Sequence, residues 1–253
     1  MERPVTIRFS HIDAANVVFY PRYFELLSEL FAELPFDDVP FAMQTNFIKP
    51  NYLGDEILVG FEDSRLDKSV SEQETPGGEW SFTGRMGGTP HFSIQSLPYE
   101  KMPLNPAAHR PGLPAFQSAP IRIARWTTDA SGYLQVSRFF ELANLAVEQW
   151  FAESLGLTFR DLHADRRDGI PTVRMRTHCR ELPRMGDTTT MWIRPTKIGG
   201  KSLTYTSWLV REDDCLLQNE QTIVFVELHG DHFKTMRIPR DLRERLEAQY
   251  VAA

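Results

Sequence analysis

The sequence predicts an α+β chain of two homologous domains, each a long helix wrapped by an antiparallel β-sheet, and three observations carry that prediction. The first is an internal repeat: Ile7–Leu26 lies without a gap over Ile123–Leu142, 116 residues later. Asp, Ala, Arg, Phe, Glu and Leu recur at 13/129, 14/130, 22/138, 24/140, 25/141 and 26/142, and repetition of this kind decides domain organisation before any local reading. The second is helical spacing after each Asp. Tyr23, Phe24, Leu27, Leu30, Phe31 and Leu34 share one helix face, and the matched Phe139, Phe140, Ala143, Ala146, Val147 and Trp150 are all apolar. The third is the two-residue period of Thr204, Thr206, Trp208 and Val210 against Leu203, Tyr205, Ser207 and Leu209, as in a sheet whose faces meet different surroundings.

Taken in order, Arg3–Ser10 reads as a first strand and Tyr20–Leu34 as a helix. Pro21 sits in its first turn, where a missing N–H costs nothing. Phe41–Lys49 and Glu56–Leu66 are β-prone runs around the turn signal Asn51-Tyr52-Leu53-Gly54-Asp55. Thr75-Pro76-Gly77-Gly78 marks another turn, and Trp80–Leu97 one or two strands, with a bulge or an edge expected at Gly87-Gly88 and Pro90. Pro98, Pro103, Pro106, Pro111 and Pro114 stiffen an extended linker. We assign it to residues 98–117, between domains at 1–97 and 118–253. The second half repeats the order with a strand at Ala119–Trp126 and a helix at Val136–Leu155. Strands follow at Thr172–Glu181, Thr188–Thr196, Ser202–Arg211 and Leu216–His229, then a charged surface helix at Pro239–Gln249.

Composition narrows the function classes. A hydrophobic content of 42% and 17 Phe suffice for two cores, while a net charge of −6 argues against nucleic acid or an anionic membrane as partner. No apolar run approaches the ~18 residues of a membrane span, and Met1-Glu2-Arg3-Pro4 has no signal core. Cys179 and Cys215 make no disulfide framework. A cytoplasmic setting is expected.

Asp13, Tyr20-Pro21 and Tyr23 fall in register with a known signature: Asp, two residues, Gly, two apolar residues, an aromatic, Tyr, Pro, any residue, Tyr. Here the sequence resembles the hotdog-fold acyl-CoA thioesterases of the 4-hydroxybenzoyl-CoA thioesterase type. Lys68-Ser69 and Thr75–Gly78 resemble family positions further along. Asn16 stands where the family has Gly, and Asn tolerates left-handed backbone better than most residues. The second copy keeps Asp129 and has the Gly at Gly132, but Gln135-Val136-Ser137 replaces the aromatic-Tyr-Pro run. The resemblance covers both halves. It implies two tandem hotdog domains, a double hotdog, pairing as a pseudo-dimer where single-copy members pair as dimers.

Read without the family, a carboxylate ahead of a helix is most often a cap or turn residue. Asp13 lies too far from the helix start to cap it, however, and its twin persists where its neighbours diverge. The functional reading sets the Asp beside the helix N-terminus, whose free N–H groups and positive dipole end polarise a carbonyl and stabilise its oxyanion. The resemblance implies the Tyr20 N–H for this role, with Val136 at the matched place. It implies Asp13 and Asp129 as nucleophile or as base for a water, two alternatives the sequence leaves open. Lys68 and Lys201 each precede Ser in matching hairpins; the family sets such a Lys against coenzyme A phosphate, and a solvated surface Lys is the plain alternative. Phe19, Tyr23 and Trp126 are candidates to border an acyl pocket, and His11 reads as structural.

Other motifs fail. Gly200-Lys201-Ser202 resembles the end of a P-loop, but the earlier Gly is Pro195 and a strand follows. His178 and Cys179, adjacent in a strand, face opposite ways. There is no Gly-x-Ser-x-Gly elbow and no metal-ligand spacing. The expectation is an acyl-CoA thioester hydrolase needing no metal or other cofactor, with coenzyme A entering as part of the substrate. Assembly of such chains into homodimers is compatible with it. The alternatives are a non-catalytic acyl-CoA or acyl-carrier binding protein, and a hotdog dehydratase or hydratase, whose different motif is not found.

Overall fold

The computed structural model describes residues 1–13, 16–31, 34–36, 39–63, 80–99, 116–229 and 232–249. Lys68-Ser69, the turn Thr75–Gly78 and most of the proline-rich linker lie outside them. The first half contains β1 (Glu2–Thr6), α1 (Tyr20–Leu30), β2 (Phe41–Phe47), β3 (Glu56–Asp63), β4 (Trp80–Met86) and β5 (Thr89–Ser96). The second contains β6 (Phe116–Gln117), β7 (Ile121–Arg122), α2 (Val136–Leu155), β8 (Asp168–Gly169), β9 (Thr172–Cys179), β10 (Thr188–Ile198), β11 (Ser202–Arg211), β12 (Asp214–Val224), β13 (Val226–His229), β14 (His232–Thr235) and α3 (Arg240–Gln249). Among the described residues no helix is long and apolar enough to cross a membrane.

Several elements differ from the sequence reading, each for a local reason. The first strand stops at Thr6 because Phe9–His11 coil into a 3₁₀ turn, held where the Arg8 N–H donates to His11 Nδ1 at 3.0 Å. Helix α1 ends at Leu30 rather than Leu34. Phe31 takes extended backbone and packs its ring on Phe61 and Phe82, 5.4 and 5.5 Å away. Gly87 and Gly88, at φ 55° and 79°, make a hairpin turn between β4 and β5, while the register shift falls between Gly84 and Arg85. The strand expected at Ala119–Trp126 is reduced to the two-residue β7 and then a 3₁₀ turn at Arg125–Thr127, while β6 lies earlier, at the end of the stretch assigned to the linker. Leu216–His229 is two strands: Phe225 leaves the ladder to donate its N–H to the Lys201 carbonyl at 2.8 Å, and β13 joins β14 and β8 in a second, three-stranded sheet. α3 is amphipathic rather than wholly superficial, with Leu242 and Leu246 buried.

The main sheet runs β1-β3-β4-β5-β2-β9-β12-β11-β10-β6, with β7 also on β10. Counting only the strands of this sheet and reading outward from its centre, each half presents the same order: first strand after the helix, then fourth, third and second, then a strand that precedes the helix. The central pair β2–β9 is antiparallel, from Phe41 opposite Cys179 to Asn46 opposite Arg174. The sheets expected to wrap one helix each are therefore one continuous sheet.

Both helices bury the faces their spacing predicts, and they meet each other. Phe24 stacks on Phe140 at 4.4 Å between ring centroids, a contact between repeat-equivalent residues, and the Tyr20 hydroxyl donates to the Phe140 carbonyl at 3.1 Å. Around this point Arg22 pairs with Glu25 and Glu141 at 2.6 and 2.9 Å, and Arg138 with Glu25 and Glu141 at 3.1 and 2.7 Å. The four side chains are 21–27% exposed, so solvent screens this ring of charges less than an open surface pair. A double-mutant cycle on Arg22→Ala and Glu141→Ala, read by denaturant unfolding, is expected to give a favourable coupling of about 1 kcal/mol; a coupling of zero would make the ring incidental.

Candidate active site

The loop carrying Asp13 is built from its own backbone. Ile12 bridges to Val18, the Asp13 N–H donates to the Val17 carbonyl at 2.9 Å, and Asn16 N–H donates to the Asp13 carbonyl at 3.0 Å. Asp13 Oδ1 also accepts from the Val17 N–H at 3.4 Å. Asn16 sits at φ 61°, the left-handed turn that Gly132 makes at φ 85° in the second copy. That copy repeats the pattern, with Asp129 N–H to Tyr133 O at 2.8 Å and Tyr133 N–H to Asp129 Oδ1 at 2.9 Å. The Phe19 N–H then donates to the His11 carbonyl at 2.9 Å, which sets the start of α1. His11 is buried beneath the loop, and burial pushes its imidazole pKa below the usual value.

Helix α1 begins at Tyr20 with no side chain capping it and with Pro21 in its first turn. Pro21 has no N–H and the Arg22 N–H donates to the Phe19 carbonyl at 2.8 Å, which leaves the Tyr20 N–H at the positive end of the helix. Asp13, Phe19, Tyr20 and Tyr23 line one cavity of about 810 Å³. Tyr23 is held by donating its hydroxyl to Asn51 Oδ1 at 3.0 Å, and Asn51 in turn meets His91 Nδ1 at 2.8 Å. Burial raises the pKa of both the Tyr20 and the Tyr23 phenol, so both stay protonated.

The opposite wall belongs to the second half. Asn144 and Glu148 on α2, His163 in a π-helical turn at Asp161–Asp165 and Gln221 on β12 face the same cavity. Asn144 Nδ2 donates to Glu148 Oε1 at 2.7 Å. Burial raises the Glu148 carboxyl pKa, opposed by that hydrogen bond and by His163. A carboxyl whose folded pKa lies above its unfolded one binds its proton more readily when folded. Its contribution to stability is thus full below the unfolded value and lost as pH rises through the folded one. Glu148→Gln is expected to gain stability over the native chain at neutral pH and to lose that advantage in acid, as unfolding midpoints across the range would register. A gain independent of pH would contradict this.

No family model matches the sequence, and no curated protein does. Among solved structures, a Lactobacillus plantarum protein provisionally assigned as an oleoyl thioesterase superposes with a TM-score of 0.62. The match spans 88% of this chain and 95% of that one, at 9% identity. A thioesterase-superfamily protein from Jannaschia sp. CCS1 gives 0.51 over 60% of this chain and all of its own, at 21% identity. The fold is of the hotdog type.

On this hotdog frame the sequence-predicted residues divide. Asp13, Tyr20, Phe19 and Tyr23 come together on the cavity. Lys201 lies beside it, Nζ donating at 3.2 Å to Oγ1 of Thr235, a lining residue. Lys68 lies outside the described residues. Asp129 and Val136 do not line this cavity. Next to Asp129 the place of Val17 is taken by Tyr133, whose ring lies 5.0 Å from the Arg184 guanidinium and whose hydroxyl accepts from Arg184 at 2.8 Å. Trp126 was expected to border an acyl pocket; it is 71% exposed on the 3₁₀ turn and lines none of the cavity. Asn144, Glu148, His163 and Gln221 went unseen in the sequence. Asn144 and Glu148 each directly follow a buried residue of the expected helix face, Ala143 and Val147, and that flanking position was the available signal.

Proposed function

We propose that this chain is an acyl-CoA thioesterase of tandem double-hotdog form, with domains at 1–97 and 118–253 pairing as a pseudo-dimer across β2 and β9. The observation that carries the reading is a single cavity lined by the Asp13 carboxylate and the uncapped first turn of α1. The mirrored strand order and the Phe24–Phe140 contact support the doubled form.

In this reading the thioester carbonyl oxygen accepts from the Tyr20 N–H, so the helix end stabilises charge as it develops on oxygen. Asp13 either attacks the carbonyl carbon or takes a proton from the attacking water. The coenzyme A thiolate then leaves, a good leaving group that needs no strong acid beside it, and in the nucleophilic route water hydrolyses the mixed anhydride left on Asp13 to free acid and carboxylate. Lys201, and by the repeat Lys68, meet the coenzyme A phosphates as point charges. The Asp129–Val136 pair serves as scaffold, since neither residue lines the cavity. Neither metal nor redox cofactor enters, and a cytoplasmic setting goes with a soluble acyl-CoA substrate. Release of free thiol from a panel of acyl-CoAs tests the reading. Turnover is expected with at least one of them; none across short, long and aromatic acyl groups would favour a binding protein instead.

A further inference from the structure

The cavity is mainly apolar, yet Asn144, Glu148 and His163, beside Gln221, bring polar groups of the second half into it. Asn144 occupies one oxygen of Glu148, leaving the rest of the carboxylate's acceptor capacity unassigned. His163 stands edge-on to Phe159, 5.9 Å between centroids, and its Nδ1 is buried with no hydrogen-bond partner among the described residues. The π-helical turn that carries His163 is a rare local geometry, frequent at functional sites. Neither group belongs to the Asp13 loop or to the α1 terminus, so neither is needed for the carbonyl chemistry described above. Buried polar groups are normally satisfied, and an unsatisfied one beside a half-buried carboxylate asks what completes it.

We propose that Glu148, Asn144 and His163 form an acyl-recognition subsite, selecting acyl groups that carry a hydroxyl or a comparable neutral hydrogen-bonding group. The inference rests on the thioesterase reading and names the substrate class of that site. A hydroxyl suits both partners at once: it donates to the Glu148 carboxylate and accepts from the imidazole N–H. The acyl group enters past Asp13 and Tyr20, crosses the apolar wall at Phe47 and Val147, and reaches this cluster in the second half. A plain alkyl group of the same length would strip water from both polar groups and return no hydrogen bond. Discrimination by an unsatisfied site of this kind is stronger than discrimination by fit alone.

The test uses S-alkyl coenzyme A thioethers, which have no carbonyl to hydrolyse, with chains of six, eight and ten carbons, each with and without a terminal hydroxyl. Calorimetry on the full chain is expected to show at least ~10-fold tighter binding of the hydroxylated member at one or more lengths. That preference should fall towards unity in Glu148→Leu and in His163→Phe, the latter keeping a ring against Phe159. Equal affinities at all three lengths, or a preference surviving both substitutions, would overturn the subsite. Thiol release by the native chain keeps the two readings apart: turnover without hydroxyl preference removes the subsite alone. No binding of any thioether together with no turnover removes the thioesterase reading, and the subsite with it.

Discussion

Asp13→Asn is expected to lower kcat/KM for acyl-CoA hydrolysis by about 10³-fold, some 4 kcal/mol of transition-state stabilisation. The amide is nearly isosteric with the carboxylate, and its oxygen can still accept from the Val17 N–H as Asp13 Oδ1 does at 3.4 Å. The loop and the start of α1 should therefore persist. What disappears is the charge: an amide neither attacks a thioester carbon nor takes a proton from water. The Tyr20 N–H remains to polarise the carbonyl, which is why a residual rate is expected rather than none. Asp129→Asn, away from the cavity, is expected to leave turnover close to the native value. Thiol-release kinetics on both variants, with circular dichroism to confirm folding, decide the matter. Native turnover in Asp13→Asn, or a collapse confined to Asp129→Asn, would reverse the assignment of the working site.

The largest effect on stability is expected from Phe140→Ala, a loss of about 3–5 kcal/mol. The side chain is fully buried, stacked on Phe24 at 4.4 Å and edge-on to Tyr20 and Phe139 at 6.2 and 5.1 Å. Truncation loses the transfer free energy of the ring and leaves a void at the crossing of two helices, where neither can collapse inward without dragging its half of the sheet. Urea unfolding should show a lower midpoint with an unchanged slope if both halves unfold together. A loss below about 1 kcal/mol would mean that the site relaxes and that the helix contact contributes little.

How far the sequence was legible depended on whether a signal was periodic. The two helices, the two Asp loops and the strand β11 follow from repeat and alternation, and the bounds Val136–Leu155 and Ser202–Arg211 agree with the structure. The left-handed turn survived the exchange of Gly for Asn16, as the tolerance of Asn for that backbone suggested. The second sheet was not legible: β8 is two residues long, and β13 continues the apolar run of β12, so nothing in the pattern marks the departure at Phe225. The cavity was half legible. Its Asp13 and Tyr20 side carries the family-like signature, whereas its Glu148 and His163 side is assembled across the seam from a helix flank and a π-helical turn, neither of which has a sequence period.

The antiparallel seam between β2 and β9 joins the halves of one polypeptide, which removes a constraint that two identical subunits cannot escape. Tethered partners meet at an effective concentration fixed by the chain between them, so dilution should not part them and the thermal midpoint should not depend on protein concentration. Each side is also free to drift by itself. A change that suits one half is no longer copied into the other, and Tyr133 with Arg184 against its ring can stand beside Asp129 where Val17 stands beside Asp13.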